Sequence, residues 1–355
     1  MKYKVVKISS QPDTASSPSI LVIYTGGTMG MSYDQQGSLA PFNFKGILDE
    51  MPALNSMGLR ITIISFEQPI DSSNVTIEHW NTLADIIETN YQQYHGFVVL
   101  HGTDTLAYTA SALSFMLEGL TKPVIFTGSQ LPIGAVRSDA AQNLISALQI
   151  ACTLKNGQPL VPEVCVYFDY FLFRANRCKK VESQHFDAFQ SENYPPLAEV
   201  GIFIDFNDTV IRRPPANEPF RVHKMKPVNI ALLKLFPGMS ESFVRQVLNT
   251  PGLEAVILET FGSGNAPTAS WFVHLLDEAI NNEIVILNVS QCLGGRVMQG
   301  RYITSQQLLE LGVLSGRDIT TEAALAKMQF LHSKYAKKHK IRASLVTPMR
   351  GEMDN

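Results

Sequence analysis

Continuous apolar runs alternate with helical patterns along this chain, and two of the runs close on glycine–threonine turns. Ile20 to Ile23 leads into Tyr24-Thr25-Gly26-Gly27-Thr28-Met29-Gly30. Phe97 to Leu100 leads into His101-Gly102-Thr103-Asp104-Thr105. Apolar runs recur at 20–24, 61–66, 97–100, 123–127 and 163–168. Between them lie the helical patterns Ile77 to Asn90, Thr105 to Glu118 and Ser138 to Leu154. This alternation predicts βαβ units with parallel strands, and unbroken apolar strands are those covered on both faces. Both turns therefore fall at strand ends, where open α/β sheets bind ligands. Glycine lets a ligand approach the backbone there, and threonine hydroxyls offer a nucleophile.

At 355 residues and 45% hydrophobic, the chain can bury more than one core. Residues 1–19 carry Pro12 and Pro18 among polar residues and are expected to form a flexible tail. Residues 20–206 form the first α/β domain. The stretch 207–227 holds Pro214, Pro215, Pro219 and Pro227 and is expected to be a linker. Residues 228–355 form a second, smaller α/β domain. It has strands expected at 228–235, 254–259 and 284–289, and helices at 239–249, 268–281, 304–311 and 320–338.

Several function classes are disfavoured. A net charge of −3 without long one-sign runs does not fit nucleic-acid binding. No stretch reaches the length of a membrane span, and the lysine-bearing start lacks the apolar core of a secretory signal. Cys152, Cys165, Cys178 and Cys292 form no C-x-x-C pair and read as free thiols in a reducing cytoplasm. The eight histidines show no metal-ligand spacing, so neither metal nor cofactor is expected.

Each candidate position has a plainer reading. Thr28 is a nucleophile candidate or simply a turn residue. Thr103 and Asp104 are catalytic candidates or an ordinary helix N-cap. Their catalytic reading needs a basic partner, for which Lys179 and Lys180 are candidates. Asp71-Ser72-Ser73-Asn74 is a third strand-end loop that either holds a carboxylate or caps the helix at Ile77. In the second half, Asn265 of Phe261-Gly262-Ser263-Gly264-Asn265 faces a ligand or fills a left-handed turn position.

Taken together, the motifs resemble the bacterial-type L-asparaginases, most closely the cytoplasmic, type I group of the asparaginase/glutaminase family. The resemblance runs from about Ile20 to about Lys338. It is carried by YTGGTMGM (24–31), DSSNVT (71–76), HGTDTLAYTASALSF (101–115), FTGSQLPIG (126–134), RSDAAQNL (137–144), FRANRCKK (173–180), FDAFQSENYPPLAEVG (186–201), TFGSGNAP (260–267) and SQCLGGRVMQGRY (290–302). It implies a larger N-terminal, mostly parallel α/β domain and a smaller C-terminal one. It also implies L-asparagine as substrate, and a homodimer or homotetramer with active sites between subunits. Thr28 corresponds to the family's nucleophile. Thr103, Asp104 and Lys180 correspond to its second catalytic group, Asp104 also binding the substrate α-ammonium. Ser72 and Ser73 match positions that hold the α-carboxylate, and Ser129 one that lines the amide end.

Two departures stand out. The tyrosine that assists the nucleophile in many relatives falls at Ser38 here, and Tyr33 is out of register. Tyr302, in the QGRY segment, is the candidate to supply that tyrosine from a neighbouring subunit, or else an interface residue. At the allosteric asparagine site of some type I enzymes, Glu259 stands where an arginine is used and Lys179 where a threonine is used, while Cys292 matches. A carboxylate there repels another carboxylate, so weak or absent allosteric control is expected. Three other functions stay open. One is a glutaminase-asparaginase with comparable glutamine use. Another is a non-catalytic amino-acid-binding relative. The third is a tRNA-amidotransferase subunit, which carries an N-terminal module longer than the 19 residues before the first strand here.

Overall fold

The computed structural model describes residues 3–9, 17–33, 39–41, 52–215, 217–301 and 303–355. The chain divides into two compact units. The first is Met1–Ser191 with Pro195–Val222; the second is Glu192–Tyr194 with His223–Asn355. The change of unit after Val222 falls inside the proline-bearing stretch 207–227.

In the first unit, β1 (Tyr3–Ser9), β2 (Ser19–Gly26), β3 (Arg60–Ile70), α1 (Ile77–Asn90), β4 (Gly96–Leu100), α2 (Leu106–Met116), β5 (Val124–Thr127) and α3 (Ala140–Cys152) come first. β6 (Val164–Phe168), β7 (Phe171–Arg174), β8 (Lys179–Lys180), β9 (Phe189–Gln190), β10 (Ala198–Val200) and β11 (Ile204–Phe206) follow. Nine of these strands form one sheet in the order β1-β3-β2-β4-β5-β6-β7-β10-β11. Its centre, β3-β2-β4-β5-β6, is parallel throughout. Every residue of β2, β4, β5 and β6 is buried, as continuous apolar strands between two helical layers require.

The borders of the sheet differ from the sequence expectation. β1 is a strand, not a loose tail; it pairs antiparallel with β3 over its whole length. Its YKVVKIS pattern places Lys4 and Lys7 on an edge strand, where lysine discourages further pairing. At the other border, β6 turns back into β7 through Asp169 and Tyr170, both at positive φ. That two-residue turn makes β7 antiparallel, and β10 and β11 continue the antiparallel run.

The second unit holds β12 (Ile230–Lys234), α4 (Glu241–Leu248), β13 (Ala255–Thr260), α5 (Ser270–Asn281), β14 (Val285–Ser290), α6 (Ile303–Leu311), β15 (Leu314–Ser315), α7 (Thr321–Lys334) and α8 (Lys338–Leu345). Its four strands are parallel in chain order. Leu233, Val256, Leu258, Phe272, Leu276 and Ile286 form part of its core. The expected helix 320–338 ends at Lys334, where Tyr335 takes an extended conformation, and a separate helix starts at Lys338. Among the described residues, no helix is long and apolar enough to cross a membrane.

Candidate active site

The site in the first unit is assembled from backbone turns before any side chain is considered. Gly27, which follows β2, has φ +90° and lies so close to Gly102 that a Cβ there would stand 2.6 Å from the Gly102 Cα. A Cβ on Gly102 would stand 2.6 Å from the Ser72 Oγ. A Cβ on Gly128 would collide with the His101 carbonyl and lie 3.5 Å from Thr103 Cγ2. Four loops, each following a central strand, therefore pack against one another only because three of their residues lack side chains. Further bonds fix the cluster. Thr25 Oγ1 donates to the Leu100 carbonyl at 2.9 Å, and Thr105 Oγ1 to the Ser72 carbonyl at 2.7 Å. The Ile133 amide donates to the Met29 carbonyl at 3.4 Å.

Thr28 opens the 3-10 turn Thr28–Gly30 and is partly exposed, beside the buried Met29 and Gly30. Thr103 opens the corresponding turn Thr103–Thr105 ahead of α2. Neither Thr103 nor Asp104 is the cap of that turn, whose N-cap position is Gly102. Instead Lys180 Nζ donates to Thr103 Oγ1 at 2.7 Å and pairs with Asp104 Oδ1 at 2.7 Å. The lysine side chain is 18% exposed and the aspartate 65%, so hydroxyl, ammonium and carboxylate run in a chain from the interior to solvent. Lys179, the other basic candidate, is the neighbouring residue of β8.

Lys180 reaches that place through a supported turn. Ser111 Oγ on α2 donates to the Ala175 carbonyl at 3.3 Å, and Asn176 Nδ2 donates to Ser114 Oγ at 3.1 Å. β8 then pairs with β9, placing Lys180 opposite Phe189.

Asp71 accepts from the Ser73 amide at 3.0 Å and the Ser73 hydroxyl at 2.9 Å, leaving Ser72 buried against Gly102. The cap of α1 is built separately by Thr76 and His79, so Ser72 and Ser73 are not needed for it. Ser129 is buried, and its Oγ donates to the Leu131 carbonyl at 2.6 Å. Thr28, Ser72, Thr103, Asp104, Ser129 and Lys180 thus all belong to this loop cluster, with Ser73 at its outer side. Ser38 and Tyr302 lie outside the described residues.

Two ionisable groups near the turns are strongly shifted by burial. The His101 imidazole is pushed down to about 4, so it is neutral, and its Nδ1 lies 2.8 Å from the Gly102 carbonyl. The Tyr24 hydroxyl is pushed up to about 12. Sequence reasoning assigned no role to His101, Asp139 or Asn143, although the last two bind the Gly128–Leu131 loop directly. The signal available for the pair was an aspartate and an asparagine four residues apart at a helix start, in RSDAAQNL. Among the described residues, no three His, Cys, Asp or Glu side chains gather as metal ligands would.

Asn265 and Glu259 stand at the strand ends of the second unit. Asn265 closes a small bridge with Phe261 and accepts from Thr304 at 2.8 Å through Oδ1. Glu259 is buried; its Oε1 accepts from Thr321 at 2.5 Å, and Oε2 lies 3.6 Å from Lys234 Nζ.

Hydroxyl, ammonium and carboxylate groups at the carboxyl edge of a parallel sheet define a two-unit α/β protein with a site for a small polar ligand. Comparison with known proteins narrows that class. The Asparaginase, N-terminal family matches residues 19–212, and the Glutaminase/Asparaginase C-terminal domain family matches residues 229–345. L-asparaginase 1 of Escherichia coli K12 is 42% identical over 94% of this chain and 98% of its own length. The human 60 kDa lysophospholipase is 39% identical over 94% of this chain but only 61% of its own length. The crystal structure of L-asparaginase I from Vibrio cholerae superposes with a TM-score of 0.86 at 40% identity, covering 96% of this chain and all of that one. The chain belongs to the asparaginase family.

Proposed function

We infer that the protein is an L-asparagine amidohydrolase that forms L-aspartate and ammonia through a threonine nucleophile. The observation that carries this reading is the chain Thr103–Lys180–Asp104, with 2.7 Å at both contacts, beside the Gly27–Gly102 approach that brings the Thr28 turn against it.

The chemistry follows from the groups present. Thr28 Oγ attacks the side-chain amide carbon, and its proton passes through the Thr103 hydroxyl to Lys180, which acts from its neutral amine form and is left as the ammonium beside Asp104. The same pair returns a proton to the leaving nitrogen, and ammonia departs. A water then attacks the β-aspartyl ester on Thr28, giving its proton to the same pair, which returns it to Thr28 Oγ as aspartate is released. Splitting amide hydrolysis this way replaces one difficult step by two easier ones. In this reading backbone amides of the glycine turns serve as oxyanion donors, worth about 3 kcal/mol each. Asp104 pairs with the substrate α-ammonium, Ser72 and Ser73 hold the α-carboxylate, and Ser129 lines the amide end. That division favours a free amino acid over a peptide.

We place the enzyme in the cytoplasm, a reading supported by its four cysteines, which form no disulfide with one another. We also assign it a homodimeric or homotetrameric state in which Tyr302 completes a neighbour's site; light scattering and Tyr302→Phe kinetics test this. Control by asparagine is expected to be weak or absent, because Glu259 already uses its carboxylate on Thr321 and Lys234.

The direct test is ammonia release from L-asparagine and L-glutamine across micromolar to millimolar concentrations. Release from asparagine in clear preference supports the reading. Comparable rates make the protein a glutaminase-asparaginase, since one methylene is worth only ~1–3 kcal/mol of discrimination. Release from neither leaves an amino-acid-binding protein.

A further inference from the structure

We propose that Asp139 and Asn143 are positioning residues for this reaction: they hold the Gly128–Leu131 loop against the two threonine turns. The proposal rests on the asparaginase reading and deepens it.

Asp139 stands at the N-cap of α3, where an aspartate ordinarily accepts from the first amides of its own helix. It makes no such bond. The helix start is served by Ser138, whose Oγ accepts from the Ala140 amide at 3.1 Å. The Asp139 carboxylate instead reaches back to the preceding loop. It accepts from the Gln130 amide at 2.9 Å and the Leu131 amide at 3.1 Å. Asn143, one helical turn on and 1% exposed, completes the bracket. Its Nδ2 donates to the Gly128 carbonyl at 3.0 Å and to Asp139 Oδ2 at 3.2 Å, while its Oδ1 accepts from the Asp169 amide at 3.4 Å. Each polar atom of that amide is engaged, which fixes its orientation and leaves the network one arrangement.

The loop so held is the one that touches both turns. Gly128 abuts the His101 carbonyl and Thr103, and Ile133 bonds to Met29 in the Thr28 turn. Gln130 Nε2 also donates to the His185 carbonyl at 2.9 Å, within the connection that follows Lys180. A carboxylate kept half-buried to bond two loop amides costs desolvation, and burial does raise the Asp139 carboxyl above its ordinary range. The carboxyl group is spent on loop amides rather than on the amides of its own helix.

The α-ammonium and α-carboxylate of the substrate are assigned to other loops, so disturbing this bracket acts on the amide end alone. The test compares wild type, Asp139→Asn and Asn143→Ala. It measures kcat and KM for asparagine per folded molecule, the inhibition constant of L-aspartate, and hydrogen exchange in peptides covering 128–133 and 101–105. A misplacement of the reacting group by ~1 Å costs on the order of 10²-fold in rate. We expect kcat to fall at least ~10-fold while aspartate inhibition moves less than ~3-fold, with faster exchange confined to 128–133. Unchanged kcat and unchanged exchange in 128–133 overturn the proposal. So does a rate loss that tracks the unfolded fraction with exchange raised throughout. If wild type releases no ammonia from asparagine, the asparaginase reading fails, and the exchange of 128–133 alone decides whether the bracket orders the loop.

Discussion

The two units place glycine-bearing turns at the same topological position and use them differently. At the carboxyl edge of the first sheet, three glycines bring loops into contact and leave Thr103, Lys180 and Asp104 bonded to one another. At the carboxyl edge of the second, the polar groups are spent on the fold itself. Asn265 is bonded to Thr304, Glu259 to Thr321, and the Ser290 hydroxyl donates to the Gly262 carbonyl at 2.6 Å. The residues lining that edge nearby are Leu235, Phe236, Phe261, Trp271 and Phe272, which surround an apolar cavity of about 340 Å³. A strand-end glycine turn is thus not a site by itself; chemistry needs polar side chains that the scaffold has not already consumed.

The largest expected effect breaks the first edge. Thr28→Ala should lower kcat for asparagine by about 10³-fold or more while the folded fraction stays near wild type. Retention of more than a tenth of the rate, measured by ammonia release, would remove Thr28 from the chemistry.

The next separates stability from catalysis by acting on the second unit. Lys327 and Glu352 are both 0% exposed and meet at 2.6 Å, and Lys327 also donates to the Leu345 and Thr347 carbonyls. Lys327→Met leaves a carboxylate buried without its cation, which costs about 3–5 kcal/mol. Urea unfolding should show an earlier transition, and the surviving folded enzyme should keep its kcat within about twofold. A selective loss of kcat would contradict the separation drawn between the units.

A third effect concerns pH. His101 is held neutral, down at about 4, whereas an unfolded chain protonates it near 6.5. The unfolded state therefore binds more protons between those values. The stability from this group is full above about 6.5 and is lost as pH falls towards 4, a change of about 3 kcal/mol. Urea midpoints taken from pH 7 to 4 should decline less steeply in His101→Gln than in wild type. Parallel slopes would contradict burial as the cause.

The smallest effect is a curve shape. Because Glu259 is buried and already bonded, rate against asparagine should be hyperbolic. A clear sigmoid would show that the second unit's edge binds a regulator after all.

How much of this was legible in the sequence varies with the physical signal. Strands β2 and β4 announced themselves through unbroken apolar runs, and both threonine turns were found because glycine and threonine directly follow those runs. β1 was hidden because its two lysines and its place in a polar head read as a tail; only pairing with β3 makes it a strand. β7, β10 and β11 were missed because each is short and depends on the Asp169–Tyr170 reversal, which carries no glycine to mark it. Within the site, Thr103, Asp104 and Lys180 were nameable from motif chemistry, but their contacts span 76 and 77 residues of sequence and needed the fold. Asp139 escaped because an aspartate before a helix looks like an ordinary cap, and only its bond directions show otherwise.

The central claim is the division of labour between the two threonines, and one measurement tests it most directly. Wild type and Thr103→Val are mixed with asparagine, quenched in acid, digested and analysed by mass spectrometry. An aspartyl adduct on the peptide carrying Thr28, in wild type or in Thr103→Val, is the expected result. An adduct on the Thr103 peptide, or none at any time in an enzyme that turns over, would contradict the account and favour the second threonine or direct attack by water.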